Sequence, residues 1–386
     1  MDCKIISFKS PDLILAGNGV LEKIGEEAKA RGTSKALVVT DKGVVDSGIG
    51  GRVEELLARE GIGVDIWDKV LPDPDISCAE DCIETAKDGG YDLIVGVGGG
   101  SSMDIASVAS MMCTNPGTVH DYFGINLLKK PGIPTFLVAT TAGTGAEVTP
   151  NAILADTAAK LKKGIVSPYI LPQVAVVDPL LTVSMPPRVT SFSGMDALAH
   201  AIEAYTSINA TALTDMYARE AIMLIGKSLR TAVARGTNVE ARYNMSMGSL
   251  YAGIALANAG VTAVHALAYP LGGEFEVAHG IANGLLLPHV MEFNVPGDIP
   301  KFAQIAFFLG ERVEHLCLLD QARHAPEAVK NLVRDLDMPQ SLSELKIPRN
   351  AIPKLAEASM KVTRLMNNNP RNMTAKDAEK IFENAF

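Results

Sequence analysis

Cysteine is scarce in this chain and long apolar runs are missing. The five cysteines (Cys3, Cys78, Cys82, Cys113, Cys317) are odd in number and widely scattered. That excludes a disulfide framework and suits a reducing, cytoplasmic compartment. Cys78 and Cys82 have the spacing of one helix face, not of a C-x-x-C site. No stretch reaches about 18 continuous apolar residues, so no membrane-spanning helix is expected. The opening "MDCKIISFKSPDLILAG" has no basic segment followed by a long apolar run, so no signal peptide is expected. Basic clusters are missing too. Lysine plus arginine is 35 against 44 aspartate plus glutamate, a net charge of −9. An acidic protein without a basic run is a poor partner for nucleic acid or an anionic membrane. There is no internal repeat and no low-complexity segment.

What is present is apolar residue content of 47% over 386 residues, enough for two cores rather than one. The first half alternates strands and helices. "KALVVTD" (35–41), "GVDIWDKV" (63–70), "DLIVGVGGG" (92–100), "PTFLVATT" (134–141) and "QVAVVDP" (173–179) read as strands, with helical patterns at 51–61, near 76–89 and after residue 100. Short apolar strands alternating with helices predict a parallel sheet covered on both faces. After "MPPR" (185–188) only helical patterns remain. The expected architecture is an α/β Rossmann-like dinucleotide-binding domain over 1–183, then an all-α metal- and substrate-binding domain over 184–386.

Two turns in the first half suit phosphate. "GVGGGSSMD" (96–104) ends a strand and opens a helix. Gly98, Gly99 and Gly100 allow close approach of a phosphate to the backbone, and the helix start offers free N–H groups. Ser101 and Ser102 add hydroxyls, although Ser101 replaces the last glycine of G-x-G-x-x-G. Such a turn also serves merely to make a tight β–α connection. Its place at the carboxyl end of a strand favours a ligand. "TTAGTGAEVT" (140–149) is a second loop of this kind, with Thr140, Thr141 and Thr144. Two such loops on neighbouring strands suggest one long ligand, a dinucleotide. Asp41 closes an early strand, where an acid accepts from ribose hydroxyls and repels a 2′-phosphate. The alternative for Asp41 is a helix N-cap.

The second half holds "SGMDALAHAIEAYTS" (193–207), a soft, alanine-rich helix. Asp196, His200 and Glu203 share one face of it. Four of the seven histidines lie between 200 and 289, among them His265 in "VTAVHALAYPLGG" and His279 in "EVAHGIANGLLLPH". A lone buried histidine is usually a satisfied core residue. Three of them with an aspartate form a donor set for a divalent transition metal such as Fe²⁺ or Zn²⁺.

"GGGSSMD", "TTAGTGAEVT", "FSGMDALAHAIEAYTS" and "HALAYPLGG…AHGIANGLLLPHV" together resemble, in order and over almost the whole chain, the signatures of the iron-containing (group III) alcohol dehydrogenases. The resemblance implies that Asp196, His200, His265 and His279 are the metal ligands. It implies that the GGGS turn, with Asp104 in its motif, holds a pyrophosphate, and that the TTAGTG loop meets the nicotinamide half. It makes Asp41 the NAD-selecting acid and puts Asn151 and Lys162 along the cofactor and substrate cleft. One position departs. Many members have a proton-relaying histidine where this chain has Tyr269. A phenol titrates near pH 10 and an imidazole near about 6.5, so Tyr269 is no proton shuttle near neutrality. Pro270 follows it and is expected to end the helix there.

The implied activity is NAD-linked interconversion of a small primary alcohol and its aldehyde, with the metal as Lewis acid. The same resemblance suggests a homo-oligomer, a dimer or an assembly of dimers. An alternative is a non-redox cyclase of the dehydroquinate-synthase type, which uses NAD and metal on a phosphorylated substrate. That chemistry needs a basic cluster, and the surroundings of His265 and Asp196 offer little basic charge. A binding protein without activity would be expected to lose part of the ligand quartet, and all four ligands are present. Thr363 and Arg364 precede "LMNNNPR". Arg364 reads first as a surface arginine, and otherwise as a partner for an anionic substrate tail.

Overall fold

The structure is a computed structural model that describes residues 5–157 and 161–386; Cys3 lies outside the described residues. Two compact units divide the chain, Lys9–Ser184 and Met185–Phe386, the latter joined by the amino-terminal stretch up to Phe8.

In the first unit, nine strands are β1 (Leu13–Ala16), β2 (Lys35–Val39), β3 (Gly63–Trp67), β4 (Leu93–Gly98), β5 (Gly124–Ile125), β6 (Thr135–Ala139), β7 (Asn151–Asp156), β8 (Leu161–Val166) and β9 (Val174–Val177). The helices are α1 (Ile24–Ala30), α2 (Lys42–Asp46), α3 (Ile49–Arg59), α4 (Ile76–Asp88) and α5 (Gly100–Met112). Six strands form one sheet in the order β1-β9-β6-β4-β2-β3, every neighbouring pair parallel. Strands β4, β6 and β9 are buried along their whole length, as continuous apolar runs require when helices cover both faces. From β2 the chain steps outward to β3, and from β4 it steps the other way to β6. The strand order therefore reverses between the neighbours β2 and β4, the place where open α/β sheets leave a crevice at their carboxyl ends.

The structure adds a second sheet, β5-β8-β7, whose β7 and β8 form an antiparallel pair. The sequence reading expected no such element. Its cause is the alternating burial of "NAILAD", a half-buried pattern of period two rather than a continuous apolar run. Helix α5 packs against β4, β6 and β7 and is buried on almost every side.

The second unit is helical: α6 (Pro187–Thr206), α7 (Ala212–Ala234), α8 (Val239–Ala259), α9 (Ala263–Phe275), α10 (His279–Asn294), α11 (Ile299–Phe308), α12 (Leu318–Asp335), α13 (Ile352–Met360), α14 (Thr363–Met366) and α15 (Ala375–Asn384). From Gly194 on, helix α6 is buried all round, and it packs against α7, α8 and α10, the surroundings of a core helix. Its start is fixed by the buried Arg242, which donates to the Met185 and Gly236 carbonyls and to Thr190 Oγ1 at 2.8–3.0 Å. Helix α10 lies very close to α6. A Cβ at Gly280 would stand 2.3 Å from the Phe192 carbonyl oxygen, and one at Gly284 would stand 3.3 Å from the Met195 Cβ. Only glycine permits that approach. Among the described residues no single helix is long and apolar enough to cross a membrane. Helices α8 and α9 meet that test only as a pair bent by 102°, and their residues are largely buried in the helical core.

Candidate metal and dinucleotide sites

The helical unit gathers the predicted ligands. Asp196 comes from α6, His265 from the first turn of α9, and His279 is the first residue of α10. Ligand atoms of these three lie within 4.8 Å of one another. Around Asp196 Oδ1 stand His279 Nε2 at 3.7 Å, His265 Nε2 at 3.8 Å and His200 Nε2 at 3.9 Å. His200 lies outside the tight trio, with its ring stacked on that of His265 at 4.7 Å between centroids. Asp196, His200 and His265 are buried, whereas the His279 side chain keeps 28% exposure and opens the cluster on one side.

Glu203, one turn beyond His200 on α6, explains how His265 is aimed. Glu203 Oε1 accepts from Thr262 N at 2.8 Å, Thr262 Oγ1 at 2.9 Å and Val264 N at 3.0 Å, which satisfies the orphan donors where α9 begins. Its other oxygen, Oε2, accepts from His265 Nδ1. A carboxylate only accepts, so Nδ1 carries the proton and Nε2 keeps its lone pair toward Asp196. Burial pushes the Glu203 carboxyl up, but the ionic and hydrogen-bonded contact with His265 outweighs it and holds the group below its ordinary range. Asp196 behaves alike. Burial raises it, and the fields of His200, His279 and His265, with the Asn283 amide, bring it down. The site thus presents an ionised carboxylate to three imidazoles.

Asn283, four residues after His279, was not singled out in the sequence. Its amide nitrogen lies 2.6 Å from Asp196 Oδ1, 3.1 Å from His265 Nε2 and 3.1 Å from His279 Nε2. An amide has only two N–H bonds to offer three acceptors. Its Oδ1 is buried with no hydrogen-bond partner among the described residues. More lone pairs converge here than protein donors satisfy, which is the condition a bound cation meets. Mixed imidazole and carboxylate donors suit Fe²⁺ or Zn²⁺. Tyr269 faces the same cluster, its ring centroid 6.2 Å from that of His279. The helix does not end before Pro270 as expected. Helix α9 runs through it to Phe275, so the spacing of four from His265 keeps its helical meaning.

The α/β unit gathers a second group at the β2/β4 reversal. Asp41 is the N-cap of α2, with Oδ1 accepting from Val44 N at 3.1 Å. The same carboxylate reaches the glycine turn, where Ser102 Oγ donates to Oδ2 at 3.4 Å. Gly98 has φ +152°, and a Cβ there would stand 2.5 Å from Ser102 Oγ. Gly99 is the N-cap of α5, and no side chain caps that helix; Ser101 sits in its first turn. The threonine loop lies over the turn. Thr140 N donates to the Gly98 carbonyl at 3.0 Å. A Cβ on Gly99 would meet Thr141 at 3.5 Å, and one on Gly100 would meet Thr144 Cγ2 at 3.0 Å. An uncapped helix start bordered by glycines and threonine hydroxyls fits a pyrophosphate.

Asp104, Asn151 and Lys162 belong to a different cluster, around the small sheet. Asp104 Oδ2 accepts from Ile153 N at 3.1 Å, tying α5 to β7. Burial pushes its carboxyl up to about 7, against the Ile153 bond and the field of Lys162. Lys162 Nζ pairs with Asp73 at 2.5 Å. Asn151 opens β7 opposite Val166.

Comparison with known proteins identifies the family. Residues 11–179 match the family model described as iron-containing alcohol dehydrogenase, and residues 190–386 match that of the carboxy-terminal part of the same family. The chain belongs to the iron-containing alcohol dehydrogenase family. It is 40% identical to long-chain-alcohol dehydrogenase 1 of Geobacillus thermodenitrificans, over 97% of this chain and 95% of that one. A crystal structure of 1,3-propanediol oxidoreductase superposes with a TM-score of 0.97 at 39% identity, covering 99% of this chain and 100% of the other. Sulfoacetaldehyde reductase from Bifidobacterium kashiwanohense, solved in complex with NAD⁺, superposes at 0.88 with 29% identity, over 99% of both chains. The protein is therefore an oxidoreductase of the alcohol dehydrogenase and aldehyde reductase kind. The full-length match to dehydrogenases decides against the cyclase alternative.

Proposed function

We propose that this family member interconverts a small primary alcohol and its aldehyde with NAD(H), using a divalent metal held by Asp196, His200, His265 and His279. The observation that carries the reading is the convergence of three imidazole Nε2 atoms, at 3.7–3.9 Å, on one ionised carboxylate oxygen. Fe²⁺ or Zn²⁺ at those residues supplies Lewis acidity, and NAD supplies the hydride acceptor and donor.

The chain's own groups do the rest. Glu203 holds the proton on His265 Nδ1 and so fixes which nitrogen faces Asp196. The uncapped start of α5 with Gly98–Ser101 takes the pyrophosphate, and Thr140, Thr141 and Thr144 border it. Asp41 accepts from the adenosine ribose hydroxyls and repels a 2′-phosphate, which favours NAD over NADP. Asn151, Asp104 and Lys162 act less directly, through the small sheet that backs α5. Tyr269 contributes a phenol wall that donates or accepts hydrogen bonds beside His279.

In this reading residues 1–183 form the cofactor domain and residues 184–386 the metal and substrate domain. The enzyme is read as cytoplasmic, in line with four free cysteines and no disulfide among the described residues. It is read as a homo-oligomer; exposed apolar side chains at Ile208, Leu213, Met216 and Met223 favour a covered surface there.

The test follows NADH absorbance with a panel of short aldehydes and, separately, a phosphorylated sugar, using metal-loaded and chelator-treated enzyme. Steady NADH oxidation that needs both aldehyde and metal is expected. Activity unaffected by metal removal would sink the reading.

A further inference from the structure

Asn283 is fully buried. Burying an amide is costly unless its hydrogen bonds are made. One half of this amide is unsatisfied, since Oδ1 has no partner among the described residues. The other half is oversubscribed. Nδ2 lies 2.6 Å from Asp196 Oδ1 and 3.1 Å from both His265 Nε2 and His279 Nε2. The neighbours fix which end faces the cluster. Glu203 keeps the proton on His265 Nδ1, so His265 Nε2 can only accept, as can the Asp196 carboxylate. An amide oxygen placed there would face two acceptors, so the NH₂ must point inward.

Lone-pair counting then sets amide and cation against each other. A carboxylate oxygen has two lone pairs, and Asp196 Oδ1 can accept from Asn283 while it binds a metal. A neutral imidazole has one accepting nitrogen with one lone pair. At His265 Nε2 the Asn283 hydrogen bond and a metal bond therefore exclude each other, and the same count applies at His279 Nε2. The backbone of α10 is held close to α6 at Gly280 and Gly284, which leaves the Asn283 side chain to respond.

We propose that Asn283 is a positioning residue that stands in for the cation: its NH₂ bridges Asp196 to the histidine lone pairs, keeps the ligands gathered before metal binds, and gives up the histidine bond when it does. This rests on the proposed metal site and assigns a role to its one buried amide. The bridge holds several lone pairs together that would otherwise repel. It is also a competitor, so the cation binds less tightly than the four ligands alone would allow.

The test compares wild type with Asn283→Leu, close in volume but without a donor, and Asn283→Ala. Each is stripped with chelator and reloaded with Zn²⁺. Thermal midpoints are measured in both forms, and Zn²⁺ affinity is measured against a chromophoric chelator. Both variants should lower the stripped midpoint more than the loaded one. Zn²⁺ should bind about two- to tenfold more tightly, the equivalent of one net hydrogen bond. A role confined to packing would lower both midpoints alike and leave affinity unchanged, and that result overturns the proposal. Weaker Zn²⁺ binding in both variants also overturns it, because the amide would then support the bound cation. So does failure of both variants to fold even with Zn²⁺, since the loaded protein is not expected to need the bridge. In each of these cases the metal-dependent reading stands as long as wild type binds Zn²⁺ and needs it to oxidise NADH with an aldehyde. A wild type that binds no Zn²⁺ or Fe²⁺ overturns both.

Discussion

The two candidate sites are built on opposite plans. In the helical unit, side chains from three helices, 83 residues apart in sequence at the extremes (279 − 196), converge on one carboxylate oxygen. In the α/β unit the ligand groups are mostly backbone, in the contiguous turn Gly98–Ser102, with Asp41 brought beside it by strand order. A site made of side chains is lost by deleting one of them. A site made of backbone is lost by adding an atom. Substitution should therefore act in opposite senses on the two units, by truncation in one and by enlargement in the other.

The largest effect is expected from truncation at the metal cluster. His265→Ala or Asp196→Ala should lower metal affinity by well over about a hundredfold, since loss of a supporting partner alone costs about 10–100-fold. Turnover should fall with metal content. Metal analysis of the purified variant checks this, and a full metal complement with normal activity would refute the site.

Glu203→Gln sharpens the same side of the comparison without deleting a ligand. The glutamine oxygen keeps an acceptor for Thr262 and Val264, but its NH₂ turns toward His265 Nδ1. The proton is then driven to Nε2, the atom needed toward Asp196. Metal affinity should drop about 10–100-fold with the fold and thermal stability largely kept. Unchanged metal affinity would mean that Glu203 only caps α9.

Gly98→Ala tests the other plan. The methyl would lie 2.5 Å from Ser102 Oγ at φ +152°. Strain of about 1–3 kcal/mol is expected, about ten- to a hundredfold in NAD affinity if it is relieved by moving the turn. Metal content should not change. Calorimetry with NAD and metal analysis separate the two, and a variant that binds NAD normally would show that the turn is only a tight connection.

These contrasts also account for what the sequence disclosed. Strands β2, β4, β6 and β9 are continuous apolar runs and were readable as such. Asp196, His200 and Glu203 share a face by local helical spacing, so their common direction was readable as well. The convergence of His279 on them depends on Gly280 and Gly284 letting α10 lie close to α6, and that of His265 on its bond to Glu203, facts of packing rather than of spacing. Asn283 went unseen for the same reason, although its spacing of four from His279 was a local cue. The β7–β8 hairpin was passed over because its apolar residues alternate. Pro270 misled because a proline disfavours a helix without forbidding it, and α9 runs through it to Phe275.

The last effect is on stability rather than on binding, and concerns a buried carboxylate in the backbone-built unit. Asp104 joins α5 to β7 through Ile153 N, and burial pushes its carboxyl up to about 7. In the unfolded chain the group titrates near about 3.9. Between these values the folded state holds a proton that the unfolded state has lost. Stability therefore falls as pH rises from about 4 to about 7 and levels off above that. Asp104→Asn keeps an oxygen acceptor for Ile153 N and has no proton to lose. Relative to wild type it should gain stability across that window, by at most about 4 kcal/mol, the free energy that separates the folded and unfolded titrations of this carboxyl. The advantage should vanish near pH 4. Denaturant midpoints of both proteins across the window measure this. A difference that does not vary with pH would mean that Asp104 is ionised throughout, held by Lys162 more strongly than burial opposes it. The turn that carries the glycines would then rest on a charge rather than on backbone alone, and the contrast between the two units would narrow.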